Sequence, residues 1–421
     1  YCPQLPFGGD EDYIWSLDGK KVLYVTKAKV GTDYVLSTNT DIYEYDLTSK
    51  KTTNLTEGMM GYDTNPQYSK EGVLAWLSMA HNGNESDKND LYILKNGKRI
   101  NLTAQWDNTI FSYRWSNDGK RIYLIAPTQG TEQLFVVDVY SKNTTPIQLT
   151  QGVFDVNSIV GQAGDQLVVI RTDMNHAAEL YTISLKEKKK EYLSLTQLSH
   201  FNDEQYKQIA QCPIKERIIK TTDGKDMHAW VIYPPDFDPN KKYPTLLYCQ
   251  GGPQSIVSQF YSFRWNFQLM ASQGYIVIAP NRRGLPGFGV EWNAQISGDW
   301  GGQPMRDYLS AIDDIAKEPY VDKDRLGAVG ASYGGYSIYY LAGIHQKRFK
   351  TFIAHCGVFN LESMYGTTEE LFFNNNEIGG AYWEERNAVA QKSYKEFNPI
   401  KKINNWDTPI LIIHGGKDYR V

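Results

Sequence analysis

Roughly the first 200 residues consist of short segments in which apolar and polar positions alternate, the pattern of half-buried β-strands. Two markers recur through this part of the chain. One is an Asn/Gln-Leu-Thr/Ser triplet, whose copies start 47, 47 and 49 residues apart at Asn54, Asn101, Gln148 and Gln197. The other is a strand-like triplet that precedes each of these, at Asp41, Asp90, Gln133 and Glu179. The spacing indicates four related structural units.

A repeat of this length, made of short strands and Asp-Gly turns, is typical of a β-propeller with one blade per repeat. The turn motif Trp-Ser-x-Asp-Gly-Lys occurs at Trp15 and Trp115, with a degenerate copy at Tyr68. Because one blade cannot bury both of its faces, blades have to stack around an axis. We therefore predict an all-β propeller domain over residues 1–207 with about four blades, at the lower end of the usual range. We expect further blades to precede Tyr1.

The pattern changes after about Cys212, where uncharged apolar runs alternate with helical patterns such as Met305–Lys317. Strand–helix alternation predicts a mostly parallel sheet covered on both faces. We therefore predict an α/β-hydrolase domain over residues 208–421, with the boundary between Phe201 and Pro213. The predicted strands are Ala229–Tyr233, Thr245–Cys249, Tyr275–Ala279, Leu326–Val329, Phe352–Cys356 and Ile410–Ile413.

Composition narrows the classes of function without choosing one. The 421 residues carry a net charge of −4 at pH 7, which gives no reason to expect nucleic-acid binding. No stretch approaches the roughly 20 apolar residues of a membrane span, and nothing in the sequence implies a cofactor. The four cysteines lack metal-ligand spacing. We expect buried free thiols, with Cys2–Cys212 as the one disulfide pairing to test.

The stretch Gly-Ala-Ser-Tyr-Gly-Gly at residues 330–335 follows a short apolar strand and precedes a helical segment that starts near Ser337. In that context Gly-x-Ser-x-Gly is a nucleophile elbow, a tight turn that exposes its serine. Gly330 and Gly334 suit a bend in which a Cβ would collide. The alternative is an ordinary glycine-rich turn. The strand–turn–helix context favours Ser332 as a nucleophile.

A serine nucleophile also needs donors for the negative charge that develops on the substrate's carbonyl oxygen. The backbone N–H of Tyr333, directly after the serine, is the expected first donor. The second is expected from the Gln-Gly-Gly-Pro turn after the strand Thr245–Cys249, with Gln250 and Gly251 as the candidate residues. The alternative for this turn is a plain strand end.

Asp418 follows the apolar strand Ile410–Ile413, the place where an α/β-hydrolase keeps the carboxylate that orients its histidine. The alternative is a solvated loop aspartate. The order Ser, Asp, His requires a histidine after Asp418, but all seven histidines precede it. We expect His414 to cap its turn and His355 to pack at a strand end, so neither is assigned as the base. The catalytic domain is therefore expected to be truncated, and residues 1–421 alone are expected to be inactive.

The propeller, the hydrolase pattern and the elbow together resemble the prolyl oligopeptidase family of serine peptidases over nearly the whole chain. Three further stretches look like family motifs, namely Asn281–Gly284, Gly287–Gly289 and Asp418–Val421. Within the family, the microbial dipeptidyl-peptidase V group is the most similar, followed by the acylaminoacyl-peptidases. The resemblance implies that Ser332 is the nucleophile and Asp418 the triad acid.

The resemblance also implies a set of substrate-binding residues. Arg420 fits the position that holds the carbonyl group of the substrate's second residue. Val421 fits one wall of the pocket for the residue before the cut. Phe359, Leu361 and Tyr365 fit the rest of that pocket.

Two positions depart from the pattern of prolyl-specific members. Gln250 stands where those members place a tyrosine hydroxyl, and Leu361 stands where they carry an aromatic that stacks on proline. These departures predict a preference for alanine or other small to medium apolar residues, not strictly proline. Dipeptidyl peptidases also hold the substrate's free amine with propeller carboxylates. Glu85, in the loop Ala80–Asp90, is the candidate, with a solvated loop as the alternative.

The leading hypothesis is a serine exopeptidase that releases N-terminal dipeptides from short peptides through an acyl-enzyme. The alternatives are an acylaminoacyl-peptidase or esterase on the same scaffold, and a non-catalytic propeller that only binds. The resemblance implies a periplasmic or secreted protein with peptide substrates and no metal. The sequence leaves the oligomeric state open, with a homodimer among the alternatives.

Overall fold

The structure is a computed structural model that describes the chain except for Tyr1, residues 3–7 and residues 187–190. These gaps fall inside the predicted propeller range of 1–207, and that part of the prediction lies outside the described residues. Within the described part, each sequence repeat forms one four-stranded antiparallel sheet. The expected propeller architecture, followed by a mostly parallel sheet, is confirmed.

The four blades use their strands in chain order, four to a sheet. The strands are β1 (Tyr13–Trp15), β2 (Lys21–Thr26), β3 (Asp41–Asp46), β4 (Thr52–Asn54), β5 (Asp63–Tyr68), β6 (Leu74–Ser78), β7 (Asp90–Lys95), β8 (Lys98–Asn101), β9 (Ser112–Trp115), β10 (Arg121–Thr128), β11 (Thr131–Asp138), β12 (Ile147–Gln148), β13 (Asp155–Ala163), β14 (Gln166–Asp173), β15 (His176–Ser184) and β16 (Leu195–Gln197). Three short helical segments accompany them, a 3-10 turn at Asp10–Asp12, α1 (Thr32–Val35) and α2 (Asp203–Tyr206).

The two sequence markers of each repeat meet in one hydrogen-bonded cluster. In the first blade the Thr56 hydroxyl donates to Asp41 Oδ1 (2.9 Å) and accepts from the N–H of Ile42 (3.0 Å). In the other blades the equivalent hydroxyl also accepts from a third-strand N–H; these residues are Thr103, Thr150 and Ser199. All four hydroxyl residues are buried. A buried N–H without an acceptor is costly, and this cost accounts for the recurrence of the marker.

Neighbouring blades share their hydrophobic cores. Tyr113 of the third blade is 4% exposed and packs in one cluster with Leu91 of the second. Its hydroxyl lies 2.6 Å from the carbonyl oxygen of Asn65 and 2.8 Å from that of Ala75. A blade therefore completes its burial only against the next one, as the repeat pattern predicts.

The C-terminal part forms a seven-stranded sheet with helices on its faces. Its elements are β17 (Ile214–Lys220), β18 (Asp226–Ile232), β19 (Tyr243–Cys249), α3 (Phe267–Ser272), β20 (Ile276–Pro280), α4 (Val290–Ala294), α5 (Gln303–Ile315), β21 (Val321–Ala331), α6 (Tyr333–Ala342), β22 (Thr351–His355), α7 (Leu361–Thr367), α8 (Leu371–Glu377), α9 (Ala388–Glu396), a 3-10 segment at Pro399–Asn405 and β23 (Ile410–Ile413).

The sheet order is β17-β18-β20-β19-β21-β22-β23. The first two strands are antiparallel to their neighbours, and the pairs from β20 to β23 are parallel. Strand β20 is buried over its whole length, as its uncharged sequence predicts. The parallel strands all end at one edge, and the turn after β19 and the turn after β21 meet there.

The two domains are joined by direct hydrogen bonds. The indole N–H of Trp230 on β18 donates to the carbonyl of Gly130 in the β10–β11 turn, at 2.9 Å. The N–H of Val290 donates to Asp107 Oδ1 of the propeller at 2.8 Å. These contacts link two propeller loops to β18 and to the start of α4.

All four cysteines are free thiols, so the Cys2–Cys212 disulfide is not formed. Cys212 and Cys249 are buried, as expected. Cys2 is exposed and Cys356 is half-buried, so the expectation of buried thiols is wrong for these two. In the part of the chain that the structure describes, no helix is both long enough and apolar enough to cross a bilayer.

Replacing Thr56 with valine keeps the side-chain volume but removes the hydroxyl that serves Ile42 and Asp41. We expect the free energy of unfolding to fall by about 1–3 kcal/mol, because the buried N–H of Ile42 loses its acceptor. Urea denaturation measures the change. Thr53→Val, at an exposed position on β4, should stay within about 0.5 kcal/mol of the wild type. Equal losses at both positions would contradict the role given to the marker.

Candidate active site

Ser332 alone forms the turn between β21 and α6. Its backbone has φ 59° and ψ −121°, a conformation that residues with a Cβ rarely adopt. The turn is held by a hydrogen bond from the N–H of Ser332 to the carbonyl of His355, at 3.0 Å. Ser332 itself is half-buried. The sharp turn thus presents the hydroxyl at the carboxyl edge of the sheet.

The two glycines of the elbow are required by close backbone contacts. A Cβ on Gly334 would lie 2.1 Å from the carbonyl oxygen of Cys249. A Cβ on Gly330 would lie 2.7 Å from the same oxygen and 2.6 Å from the backbone of Gly334. The expectation that a side chain would collide at both positions is confirmed. The contacts bring the elbow directly against the end of β19.

Two backbone segments converge on Ser332. Tyr333 is the first residue of α6, so its N–H has no partner within the helix and lies at the positive end of the helix dipole. Gly251 approaches from the turn after β19. A Cβ built on Gly251 would lie 3.5 Å from Ser332 Cβ and 2.9 Å from the carbonyl oxygen of Ala331. The backbones of both segments therefore lie beside the serine.

The side chain of Gln250 is used inside its own loop. Its Oε1 accepts from the Tyr248 hydroxyl at 2.8 Å, and its Nε2 donates to Ser255 Oγ and to the carbonyl of Ile256, both at 3.3 Å. Gln250 is 9% exposed. The structure thus places the Gln250 amide as a brace of the loop, while the backbone of Gly251 contacts the elbow.

Arg282 holds the turn after β19 in place. The residue is fully buried, and its Nη2 and Nη1 donate to the carbonyls of Gln250 (3.2 Å) and Pro253 (3.0 Å). Its Nε donates to the Tyr308 hydroxyl at 3.0 Å. The guanidinium lies 4.5 Å from the centre of the Tyr333 ring. Sequence reasoning noted the Asn-Arg-Arg-Gly motif without giving this arginine a role.

Asp418 lies in the turn after β23. Its Oδ1 accepts from the N–H of Val421 at 3.0 Å, and its own N–H donates to the carbonyl of Gly415 at 3.1 Å. The ring of His414 approaches with Nε2 at 3.7 Å from Asp418 Oδ2. That separation is too long for a hydrogen bond. Asp418 is therefore held by hydrogen bonds within its own turn, and the His414 ring lies nearby without a hydrogen bond to it.

The histidines do not complete a triad within the described residues, where no imidazole is hydrogen-bonded to the Ser332 hydroxyl. The His355 ring has Nδ1 3.2 Å from Arg264 Nη2 and packs edge-on against Trp265. This packed position at the end of β22 agrees with the expectation for His355. Within the described residues, the site thus holds Ser332, Asp418 and the backbone segments at Tyr333 and Gly251.

The residues expected to form the side-chain pocket divide into two groups. Phe359 and Val421 line one cavity of about 450 Å³, together with His414. Leu361 is 1% exposed in the hydrophobic core, and Tyr365 is buried with its hydroxyl donating to Asn375 at 3.1 Å. The structure does not bring Leu361 or Tyr365 to this cavity.

Glu85 lines a cavity of about 500 Å³ between the propeller and the hydrolase, which it shares with Tyr62, Gly252 and Gln254. Burial, reinforced by the charges of other carboxylates, raises the pKa of Glu85 to about 7. The carboxylates that raise this pKa are Glu370 and Glu377; the cations that lower it are Arg420 and Lys27. The loop that carries Glu85 therefore faces the hydrolase domain across the cavity.

Arg420 is held by two glutamates that sequence reasoning missed. Its Nε donates to Glu369 at 2.8 Å, its Nη2 also contacts Glu369, and Nη2 lies 3.2 Å from Glu370 Oε1. Glu370 is 8% exposed. Lys27, from the first blade, is also buried and donates to the carbonyl of Ser37 at 2.7 Å. In the sequence, Glu369 and Glu370 are two adjacent charged residues just before α8, a pattern that is typical of a solvated surface.

The strain at Ser332 predicts an unusual order of stability. Glycine adopts this conformation without a Cβ penalty, so Ser332→Gly should unfold with a free energy about 1 kcal/mol higher than Ser332→Ala. At half-buried Ser310 in α5 the order should reverse, with glycine about 0.5–1 kcal/mol less stable than alanine. Chemical denaturation of the four variants measures both differences. Alanine matching glycine at Ser332 would show that the turn is unstrained.

Two family profiles match the chain. Residues 261–421 match the prolyl oligopeptidase family, and residues 86–226 match the dipeptidyl peptidase IV (DPP IV) N-terminal region. Dipeptidyl-peptidase 5 of Porphyromonas gingivalis is 49% identical over 423 residues, and that of Porphyromonas endodontalis is 47% identical. Both alignments cover 100% of this chain and 60% of the relative. The chain thus spans about three-fifths of the length of these relatives.

Solved structures share the fold. An acylaminoacyl peptidase from Pyrococcus horikoshii superposes with a TM-score of 0.81 at 21% identity, covering 97% of this chain and 61% of that one. Dipeptidyl peptidase 4 of Porphyromonas gingivalis gives a TM-score of 0.68 at 18% identity, covering 96% and 66%. The predicted kinship with the dipeptidyl-peptidase V group is confirmed by the sequence relatives. Residues 261–421 thus match the prolyl oligopeptidase family, and over its whole length the chain is similar to proteins named dipeptidyl-peptidase 5.

Proposed function

We propose that the protein is a serine exopeptidase that releases N-terminal dipeptides from short peptides through an acyl-enzyme on Ser332. The observation that carries the proposal is the geometry of the elbow. Ser332 stands at positive φ at the start of the ten-residue helix α6, with the Gly251 backbone beside it. Relatives named dipeptidyl-peptidase 5 cover the whole chain and support the dipeptidyl specificity.

In this proposal the propeller (1–207) admits short peptides and the hydrolase domain (208–421) cleaves them. Ser332 Oγ bonds to the carbonyl carbon of the substrate's second residue while a histidine base takes its proton. The N–H groups of Tyr333 and Gly251 receive the charge that develops on the carbonyl oxygen. The peptide C–N bond then breaks, the amine leaves with the proton, and water releases the dipeptide. Asp418 orients the base.

The substrate's amine end is proposed to lie in the cavity between the domains. Glu85 binds the ammonium group. Arg420, whose charge acts on Glu85, holds the carbonyl of the second residue counted back from the cut. Phe359 and Val421 form the wall for the residue before the cut, and this space suits alanine or small to medium apolar side chains. Peptide substrates and a periplasmic or secreted location belong to the same proposal.

The full-length protein should hydrolyse a dipeptidyl 4-nitroanilide with alanine before the cut. We expect kcat/KM to be about 100-fold higher for the free-amine substrate than for its N-acetylated form, because a buried ion pair is lost on acetylation. Ser332→Ala should abolish both activities, and Ser310→Ala, at a half-buried position on α5, should leave them unchanged. Preference for the acetylated substrate would instead indicate an acylaminoacyl-peptidase. No turnover and no labelling of Ser332 by a fluorophosphonate would indicate a binding module.

The raised pKa of Glu85 predicts a pH dependence for substrate binding. A carboxyl with a pKa of about 7 is neutral below that pH and charged above it. KM for the free-amine substrate should therefore fall as the pH rises from about 5.5 to 7. This range lies below the usual α-amino pKa of about 7.7–8.0, so the substrate's amine stays charged throughout. Glu85→Gln should raise KM about 10-fold or more and flatten the profile. Glu71→Gln, at an exposed propeller position, is the matched control and should keep the wild-type profile.

A further inference from the structure

A carboxylate of the fourth blade accepts a hydrogen bond from the loop that follows the turn after β19. Asp155, the first residue of β13, is fully buried, and its Oδ2 accepts from the Ser258 hydroxyl at 2.6 Å. Its Oδ1 accepts from the N–H of Glu132 on β11 at 2.9 Å. Ser258 is 1% exposed. This contact is a charge-assisted hydrogen bond between the two domains, shielded from water.

The loop between Gly251 and Ser258 is braced along its length. At its start the Gln250 side chain ties back to residues 255 and 256. Next to its end, the Asn281 side chain accepts from the N–H of Val257 and donates to the carbonyl of the same residue, both at 3.0 Å. The end at Ser258 is held by the propeller. Displacement of Ser258 would therefore be transmitted to Gly251 through a short, hydrogen-bonded segment.

We propose that Asp155 is a positioning residue for the reaction: through Ser258, the fourth blade sets the position of the loop that carries the second oxyanion donor. The inference rests on the proposed function. Oxyanion donors act by prior alignment with the developing charge, so a small displacement of Gly251 lowers the rate of the chemical step more than substrate binding. The propeller thereby contributes to the chemistry as well as to access.

The groups around Asp155 identify it as the charged member of a buried acidic pair. Burial raises the pKa of both Asp155 and its neighbour Glu132, and the two charges oppose each other. Asp173 adds a further negative charge nearby, whereas donation from Ser258 and from the backbone of residues 132 and 259 favours ionised Asp155. These donors stabilise the ionised form of Asp155, whose Oδ2 accepts from the Ser258 hydroxyl.

Amide hydrogen exchange tests the tether without any catalysis. In Asp155→Ala the amides of residues 255–259 should exchange at least about 10-fold faster than in the wild type, since the loop loses its hydrogen bonds from Ser258 and from the backbone of residue 259 to this carboxylate. Asp107→Ala removes a matched interdomain acceptor, that of Val290, and should leave residues 255–259 unchanged. Equal exchange in the two variants would overturn the proposal.

Kinetics of the full-length protein test the consequence. Asp155→Ala and Ser258→Ala should each lower kcat about 10- to 100-fold with KM nearly unchanged, and the double variant should be no worse than the poorer single one. Ser258→Thr, which keeps the hydroxyl, should recover most of the rate, and Asp107→Ala should retain it. Additive losses, or losses confined to KM, would overturn the positioning role.

Thermal unfolding by circular dichroism shows whether each variant folds, and if Asp155→Ala does not, Asp155→Asn and Ser258→Ala carry both measurements. If the wild-type protein releases no dipeptide, the proposed function fails, while the exchange experiment still decides whether the tether exists.

Discussion

The buried guanidinium of Arg282 is the contact on which the candidate site depends. It bonds to two carbonyls of the turn after β19 and lies over the ring of Tyr333, so it joins the two segments that flank Ser332. A fully buried cation costs free energy unless its donors are satisfied, and the Tyr308 hydroxyl and the carbonyl of Arg283 accept two further hydrogen bonds from it. Its loss would leave both strand ends without a common anchor.

Both domains contribute residues to the candidate site around this arginine. The hydrolase supplies the elbow and the turn, while the propeller supplies Glu85 to the cavity and Asp155 to the loop. Glu85 lines this cavity and is acted on by the carboxylates of Glu370 and Glu377 and by two cations, Arg420 and Lys27. An arrangement of this kind suits a ligand with an ammonium group at one end and carbonyl groups behind it, which is the form of a peptide N-terminus.

Sequence patterns predicted the fold well because its signals are local. Each blade marker works through a short-range contact, such as that of Thr56 with Asp41 only 15 residues away. The elbow is similar, because Gly330, Ser332 and Gly334 define a turn by their own conformations. Strand ends shifted by a few residues, as with β21, which extends beyond the predicted Leu326–Val329. Such ends depend on pairing with β19 and β22, not on the residues themselves.

By itself the sequence determined the repeat architecture, the elbow at Ser332 and the resemblance to the prolyl oligopeptidase family, because these rest on residues close together in the chain. Only the tertiary structure decided which side chains share a cavity. It placed Phe359 and Val421 together but buried Leu361, and it left Cys2 and Cys212 as free thiols. It also joined Asp155 to Ser258 across 103 residues. Contacts of that range depend on how two domains pack and on the water they exclude, and neither property is written in any one segment.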